Sequence, residues 1–282
     1  MNDAFLTRLD DRAVLRLEGA DTRAFLQGLI SNDVDDLAEG GALYAALLTP
    51  QGKFLFDLFL FDAGEAVLID AEAARLDDLR TRLRLYRLRA KVAIEPCPER
   101  AVYAARDGRS IRDAADGSWL VAADPRHRDL GVRAIGPADA AGLDLDPPEA
   151  YDRHRLALGV PEASRDMVVG KSTLLEGNFE EMAGVAFDKG CYVGQELTAR
   201  TKHRGLLKRR LHPVTIEGEA PPPGTPLLLH DDRGGEKEAG EMRTARGTDG
   251  IALLRLDLLE QAAREGYRSG AGTVRPRPLP WT

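Results

Sequence analysis

Residues 42–61 constrain this chain more than any other stretch. ALYAALL runs into Thr49-Pro50-Gln51-Gly52 and then into KFLFDLFLF. Proline at the second turn position and glycine at the fourth suit a type I turn, so the stretch predicts a hairpin. The second arm is an almost unbroken run of Phe and Leu, the pattern of a strand covered on both faces. One residue interrupts it. A carboxylate at Asp57 is costly to bury unless something donates hydrogen bonds to it. Asp57 is therefore either a reader of an N–H-rich ligand or a solvated strand end, and the residues alone leave both open.

The rest of the chain supplies layers for such a hairpin. Residues 21–30 (DTRAFLQGLI) read as a helix with Asp21 or Thr22 as N-cap, and VLIDA (67–71) reads as a strand. Residues 75–89 follow a helical period, with Leu76, Leu79, Leu83 and Tyr86 on one stripe and six arginines around it. Such a coat can grip phosphate, but it is more often a solvated outer face. KVAIE, AVYAA, WLVAA and GVRAI, within 91–135, are short strands without a regular βαβ period, so the fold class is α+β. Residues 146–162 predict a helix ending near Gly159 and Pro161. Residues 198–211 are basic, and a linker marked by APPPGTP (220–226) follows. LLLH, EMRTARG and IALLRLDLL are then spaced like a small antiparallel barrel. These features divide the chain near residue 208, into 1–207 and 208–282.

Composition narrows the classes. At 282 residues, 43% hydrophobic and 30% charged, the chain can bury two or three packing units. No apolar run approaches the ~18 residues a membrane span needs. The start carries acids and lacks both an apolar signal core and the Arg-rich character of a transit peptide. Two cysteines, Cys97 and Cys191, make no disulfide framework, and a reducing cytoplasm is the expectation. They also cannot hold a four-thiolate cluster within one chain. A net charge of −7 argues against a dedicated nucleic-acid coat.

Several motifs fail on spacing. GKST (170–173) would need a glycine where Arg165 stands to make a phosphate loop. The five histidines, at 127, 154, 203, 212 and 230, lack metal-ligand spacing, and no metal site is expected. Cys191 differs. It lies in DKGCYVGQE (188–196), where Lys189 would favour the thiolate and Gly190 and Gly194 remove shielding side chains. The plainer reading is a half-buried cysteine in a flexible turn, and a Cys–His pair with His203 or His212 stays open.

KGCYVGQE (189–196) resembles the signature of the YgfZ family, folate-binding proteins related to the aminomethyltransferase (T-protein) of the glycine cleavage system. FLQGLISNDV (25–34), YAALLTPQGKFLFDLFLF (44–61), RLALGVPE (155–162), LLEGNFE (174–180) and ARTKHRGLLKRRL (199–211) occur in the family's order. The resemblance implies an aminomethyltransferase-like ring of three subdomains around a channel that holds tetrahydrofolate, with a C-terminal antiparallel β-barrel. It implies that Asp57 assists at the folate, that Glu176 reads the pterin edge through paired N–H bonds, and that Arg200, with Lys202 and Arg204, meets the glutamyl carboxylates. True aminomethyltransferases tend to carry two adjacent acids where this chain has Phe56-Asp57. The cysteine loop belongs to the YgfZ side, which is associated with assembly or repair of iron–sulfur clusters and, through client enzymes, with tRNA thiolation. A mitochondrial relative serves the same purpose. The leading expectation is a folate-binding accessory factor with Cys191 and Lys189 at its reactive site and iron–sulfur client proteins or assembly factors as partners. A tetrahydrofolate-dependent one-carbon transferase using Asp57, and a regulator making a weak tRNA contact, are the alternatives.

Overall fold

The computed structural model describes residues 4–107, 111, 118–140, 142–231, 235–270 and 272–281. The hairpin forms as its sequence requires. β3 (Ala42–Leu48) and β4 (Phe54–Ala63) pair antiparallel around a turn in which Gly52 N–H donates to the Thr49 carbonyl at 2.8 Å. Gly52 has φ +78°, a left-handed conformation that favours glycine. With β5 (Ala66–Glu72), β2 (Arg12–Glu18) and β6 (Ala93–Pro96) the hairpin makes a five-stranded sheet of order β3-β4-β5-β2-β6.

The apolar run of β4 is explained by what covers each side. Leu58 and Leu60 join Leu15, Leu17 and Ile69 in a core capped by Leu26 of the helix Thr22–Gln27 and by Leu79 and Leu83 of the helix Leu76–Arg87. Asp57, Phe59 and Phe61 point to the other face, because side chains alternate along a strand. There Phe59 and Phe61 meet Val102, Ala104 and Ile135 of a second sheet. That sheet, of order β1-β7-β9-β8, contains β1 (Leu6–Arg8), β7 (Arg100–Ala105), β8 (Leu120–Ala123) and β9 (Val132–Pro137).

The arginine-coated helix has its expected stripe, and part of its coat is structural. Arg80 and Arg84 bind Glu95 on β6, each at 2.9 Å. Arg75, just before the helix, lies 4.1 Å from the Phe56 ring. The helix Pro148–Leu158 ends at Gly159 in the left-handed conformation, as read.

The C-terminal unit is a closed barrel of β10 (Arg209–Glu217), β11 (Pro226–His230), β12 (Glu236–Arg246), β13 (Asp249–Arg255), β14 (Tyr267–Ser269) and β15 (Gly272–Pro276). The sequence reading missed β10, whose opening basic residues and Pro213 hide a strand that buries Val214 and Ile216 in the barrel and Leu211 on its other side. APPPGTP is accordingly a loop within the barrel rather than a linker before it. The barrel is bonded to the rest of the molecule. Thr244 donates to Asp166 at 2.6 Å, Arg246 to Asp152 at 2.9 Å, and Asn178 Nδ2 to the Leu211 carbonyl at 2.9 Å.

Candidate functional site

Cys191 is exposed, on a loop that the chain holds firmly. Residues 28–32, which follow the helix Thr22–Gln27, pin residues 183–193 along their length. Ser31 Oγ donates to the Gly184 carbonyl at 2.6 Å, and Asn32 Nδ2 to that of Ala183 at 2.7 Å. Ala186 N–H donates to the Ser31 carbonyl at 3.0 Å and Val193 N–H to that of Gly28 at 3.1 Å. FLQGLISNDV and the cysteine motif are therefore the two sides of one contact. Spacing could not show this, because the partners lie some 155 residues apart and meet only in space.

Lys189 has a different role from the expected one. Its ammonium donates to the carbonyls of Ile30 at 3.0 Å and Asn32 at 2.6 Å, so it tethers the loop. Burial lowers its pKa to about 8, with Asp33 and Asp35 acting the other way. Gly190 does stand in open space. Gly194 does not: it has φ +84°, and a Cβ there would lie 2.4 Å from the Thr49 carbonyl oxygen and 3.1 Å from the Gly52 Cα. It permits the hairpin turn to abut the start of the helix Gln195–Arg204, so its role is packing rather than unveiling the thiol.

The residues expected at the folate have internal partners or lie at the surface. Asp57 is 1% exposed, which overturns the reading as a solvated strand end. Its partner is Arg12, whose Nη1 donates to both carboxylate oxygens, at 3.0 and 3.2 Å. Arg12 Nε binds Asp70 at 2.6 Å, and Arg133 crosses from the second sheet to the other Asp70 oxygen at 2.5 Å. Burial raises the Asp57 pKa, opposed by Arg12. Arg126 binds Asp124 at 2.7 Å and the Tyr151 hydroxyl at 2.6 Å. The guanidinium groups of Arg133, Arg126 and Arg12 lie 3.8, 4.8 and 5.5 Å from the Phe59 ring centroid, occupying the face against which a flat ligand would stack. Burial disfavours the Glu162 anion, yet Arg126, Arg155, Arg133 and Arg12 outweigh it and hold its pKa at about 2. Tyr44 Oη, Arg126 Nη1 and Arg133 Nη2 lack a hydrogen-bond partner among the described residues, as groups bridged by ordered water often do.

Glu176 accepts from Thr173 N–H at 2.7 Å and Thr173 Oγ at 2.9 Å, both at Oε2. Arg200 is exposed on the helix Gln195–Arg204. Asp57 is paired with Arg12 and Glu176 holds Thr173 through one oxygen, and no step is assigned to tetrahydrofolate. Anaerobic calorimetric titration with tetrahydrofolate, wild type beside Glu176→Ala, separates two outcomes, and no saturable micromolar binding would mean that these internal pairs persist. Binding of that strength, weakened by Glu176→Ala, would mean that the pterin displaces these internal partners.

The cavities lie elsewhere. One of about 710 Å³ is lined by Arg16, Asp62, Cys97 and Glu99, and there burial pushes the Cys97 thiol up to about 11. Another, of about 570 Å³, opens beside the cysteine loop between Leu43, Pro125, Val185 and Phe187. Among the described residues no three His, Cys, Asp or Glu side chains are grouped to hold a metal.

Comparison with known proteins identifies the fold and then the family. The crystal structure of glycine cleavage system aminomethyltransferase T from Bartonella henselae matches with a TM-score of 0.78, over 99% of this chain and 86% of that one. Identity is 15%, so the likeness shows an aminomethyltransferase-like α+β fold and nothing more. Residues 208–282 match the family model "CAF17, C-terminal beta-barrel domain". Iron-sulfur cluster assembly factor IBA57, mitochondrial, of Homo sapiens is 37% identical over 272 residues, which cover 88% of this chain and 76% of that protein. The Mus musculus protein of the same name is 33% identical, covering 90% and 78%, and the Neurospora crassa homolog 32%, covering 96% and 68%. The chain belongs to the IBA57 (CAF17) family of iron–sulfur cluster assembly factors. These relatives are mitochondrial, which overturns the cytoplasmic expectation. A low cysteine count points to a reducing compartment and does not choose among such compartments.

Proposed function

We propose that this chain supports iron–sulfur enzymes by presenting Cys191 as one ligand to a cluster whose other ligands belong to a partner protein, as the KGCYVGQE signature of the YgfZ proteins would suggest. The supporting observation is an exposed thiol on a loop pinned by residues 28–32, with no group of three or more metal-ligating side chains among the described residues. One thiolate can share a cluster but cannot own one. The step is ligand exchange. The Cys191 sulfur forms a bond to iron as another ligand's bond breaks; the Cys191 proton passes to the departing group, and no electrons change hands. Clients with [4Fe–4S] clusters, tRNA-thiolating enzymes among them, are the proposed beneficiaries. The one-carbon transferase reading is the weaker of the two, since Asp57 is paired with Arg12 and Cys191 is exposed. The test is expression in cells depleted of their own IBA57. Restored aconitase-type activity is the expected result, and none at normal protein levels would end the proposal.

A further inference from the structure

Six Lys or Arg side chains crowd residues 200–210 of a chain whose net charge is −7. Two of them have internal work: Lys202 pairs with Glu180, and Arg210 with Glu181. Arg200, Arg204, Lys208 and Arg209 are exposed and have no ion pair among the described residues. Elsewhere arginines are commonly paired, as Arg80 and Arg84 are with Glu95. Arg200 and Arg204 are four residues apart on the helix Gln195–Arg204, so they share one face. Lys208 and Arg209 follow in the sequence, at the start of β10.

Two large apolar side chains are exposed beside these cations, Phe187 at 38% and Leu206 at 51%. Phe187 stands four residues before Cys191 and lies 5.3 Å from the Lys202 ammonium, which joins the cysteine loop to the basic helix as one surface. Mixed cationic and apolar exposure next to a presented ligand is the composition of an interface rather than of a solvated face.

We infer that the helix Gln195–Arg204, with Lys208, Arg209, Phe187 and Leu206, docks an acidic protein surface that delivers a thiolate-bound cluster to Cys191. The inference rests on the proposed function and adds the partner's chemistry. A cluster held by thiolates carries net negative charge, so the lobe that carries it is anionic even before its side chains are counted. Four unpaired cations would steer such a lobe toward the thiol and raise its association rate. RNA would also seek cations, but a polynucleotide gains nothing from exposed Leu206 or from a thiol.

The test uses the full chain in three forms: wild type, Arg200→Glu with Arg204→Glu, and Arg82→Glu with Arg89→Glu as an equal charge change on, and just beyond, the helix Leu76–Arg87. The probes are a fluorescent Glu- and Leu-rich peptide and an unmodified tRNA transcript, both followed by anisotropy at low salt. The peptide is expected to bind wild type and the control pair alike and the first pair at least tenfold more weakly. Peptide affinity unchanged by Arg200→Glu with Arg204→Glu overturns the inference, and so does tighter binding of the transcript than of the peptide. In the IBA57-depleted cells, Cys191→Ser serves as the reference. Loss of function with Cys191→Ser but not with the Arg200/Arg204 pair would remove the docking surface and leave the proposed function standing. Full function with Cys191→Ser would remove the proposed role of the thiol itself. Arg200→Lys with Arg204→Lys should rescue, because charge and reach are kept.

Discussion

Cys191→Ser is expected to reduce the iron–sulfur enzyme activity of complemented cells to that of an empty vector, while the purified variant unfolds within about 0.5 kcal/mol of wild type, as surface substitutions do. The serine keeps the shape and a local hydrogen-bonding group. It withholds the soft thiolate that iron–sulfur ligation uses. The loop does not depend on the sulfur, because Ser31, Asn32 and Lys189 hold it by bonds to other atoms. Enzyme activity in the depleted cells, read beside a denaturation curve, separates the two effects. Activity equal to wild type would take the thiol out of the mechanism, and a large loss of stability would show that the cysteine is a packing residue.

Arg12→Ala acts on the opposite part of the molecule. It leaves Asp57 without its partner and Asp70 with only Arg133, in a core where these carboxylates are almost wholly buried. Removing one side of a buried pair costs about 3–5 kcal/mol, because an uncompensated charge stays behind. The thermal midpoint should fall by roughly 10 °C. Adding Asp57→Asn to Arg12→Ala should recover part of the loss by neutralising one stranded carboxylate. A midpoint within 2 °C of wild type for the single variant would show that water reaches the network and that the pair contributes little.

How much of this was legible in the chain differs from element to element. The hairpin was, since Thr-Pro-Gln-Gly specifies a turn and a doubly apolar strand needs cover on both sides. The arginine helix was too, through the Leu76, Leu79 and Leu83 stripe. The exposed cysteine could be singled out by its polar, glycine-flanked setting, and the iron–sulfur role by the boxes that resemble a known family. Asp57 was rightly marked as anomalous, but its partner could not be named: Arg12 lies two strands away, and nothing in RAVLRLE distinguishes a buried arginine from an exposed one. Lys189 and Gly194 misled for the same reason. Each looked like a modifier of its neighbour Cys191, and each is spent on a segment distant in sequence, the first on Ile30 and Asn32, the second against Thr49 and Gly52. Local sequence reports local chemistry, while close packing between remote segments decides what a charged or small residue is for.

The bonds between barrel and sheets bear on how the protein comes apart. Asp152 and Asp166 are buried acids whose partners include barrel residues, Arg246 and Thr244, and a methyl at Gly159 would strike Pro213 of β10. Opening the barrel away from the rest would take one partner from each of these buried carboxylates, so the two parts are coupled. A lesion deep in the barrel would then be felt at Cys191 as lost protein, with every ligand in place.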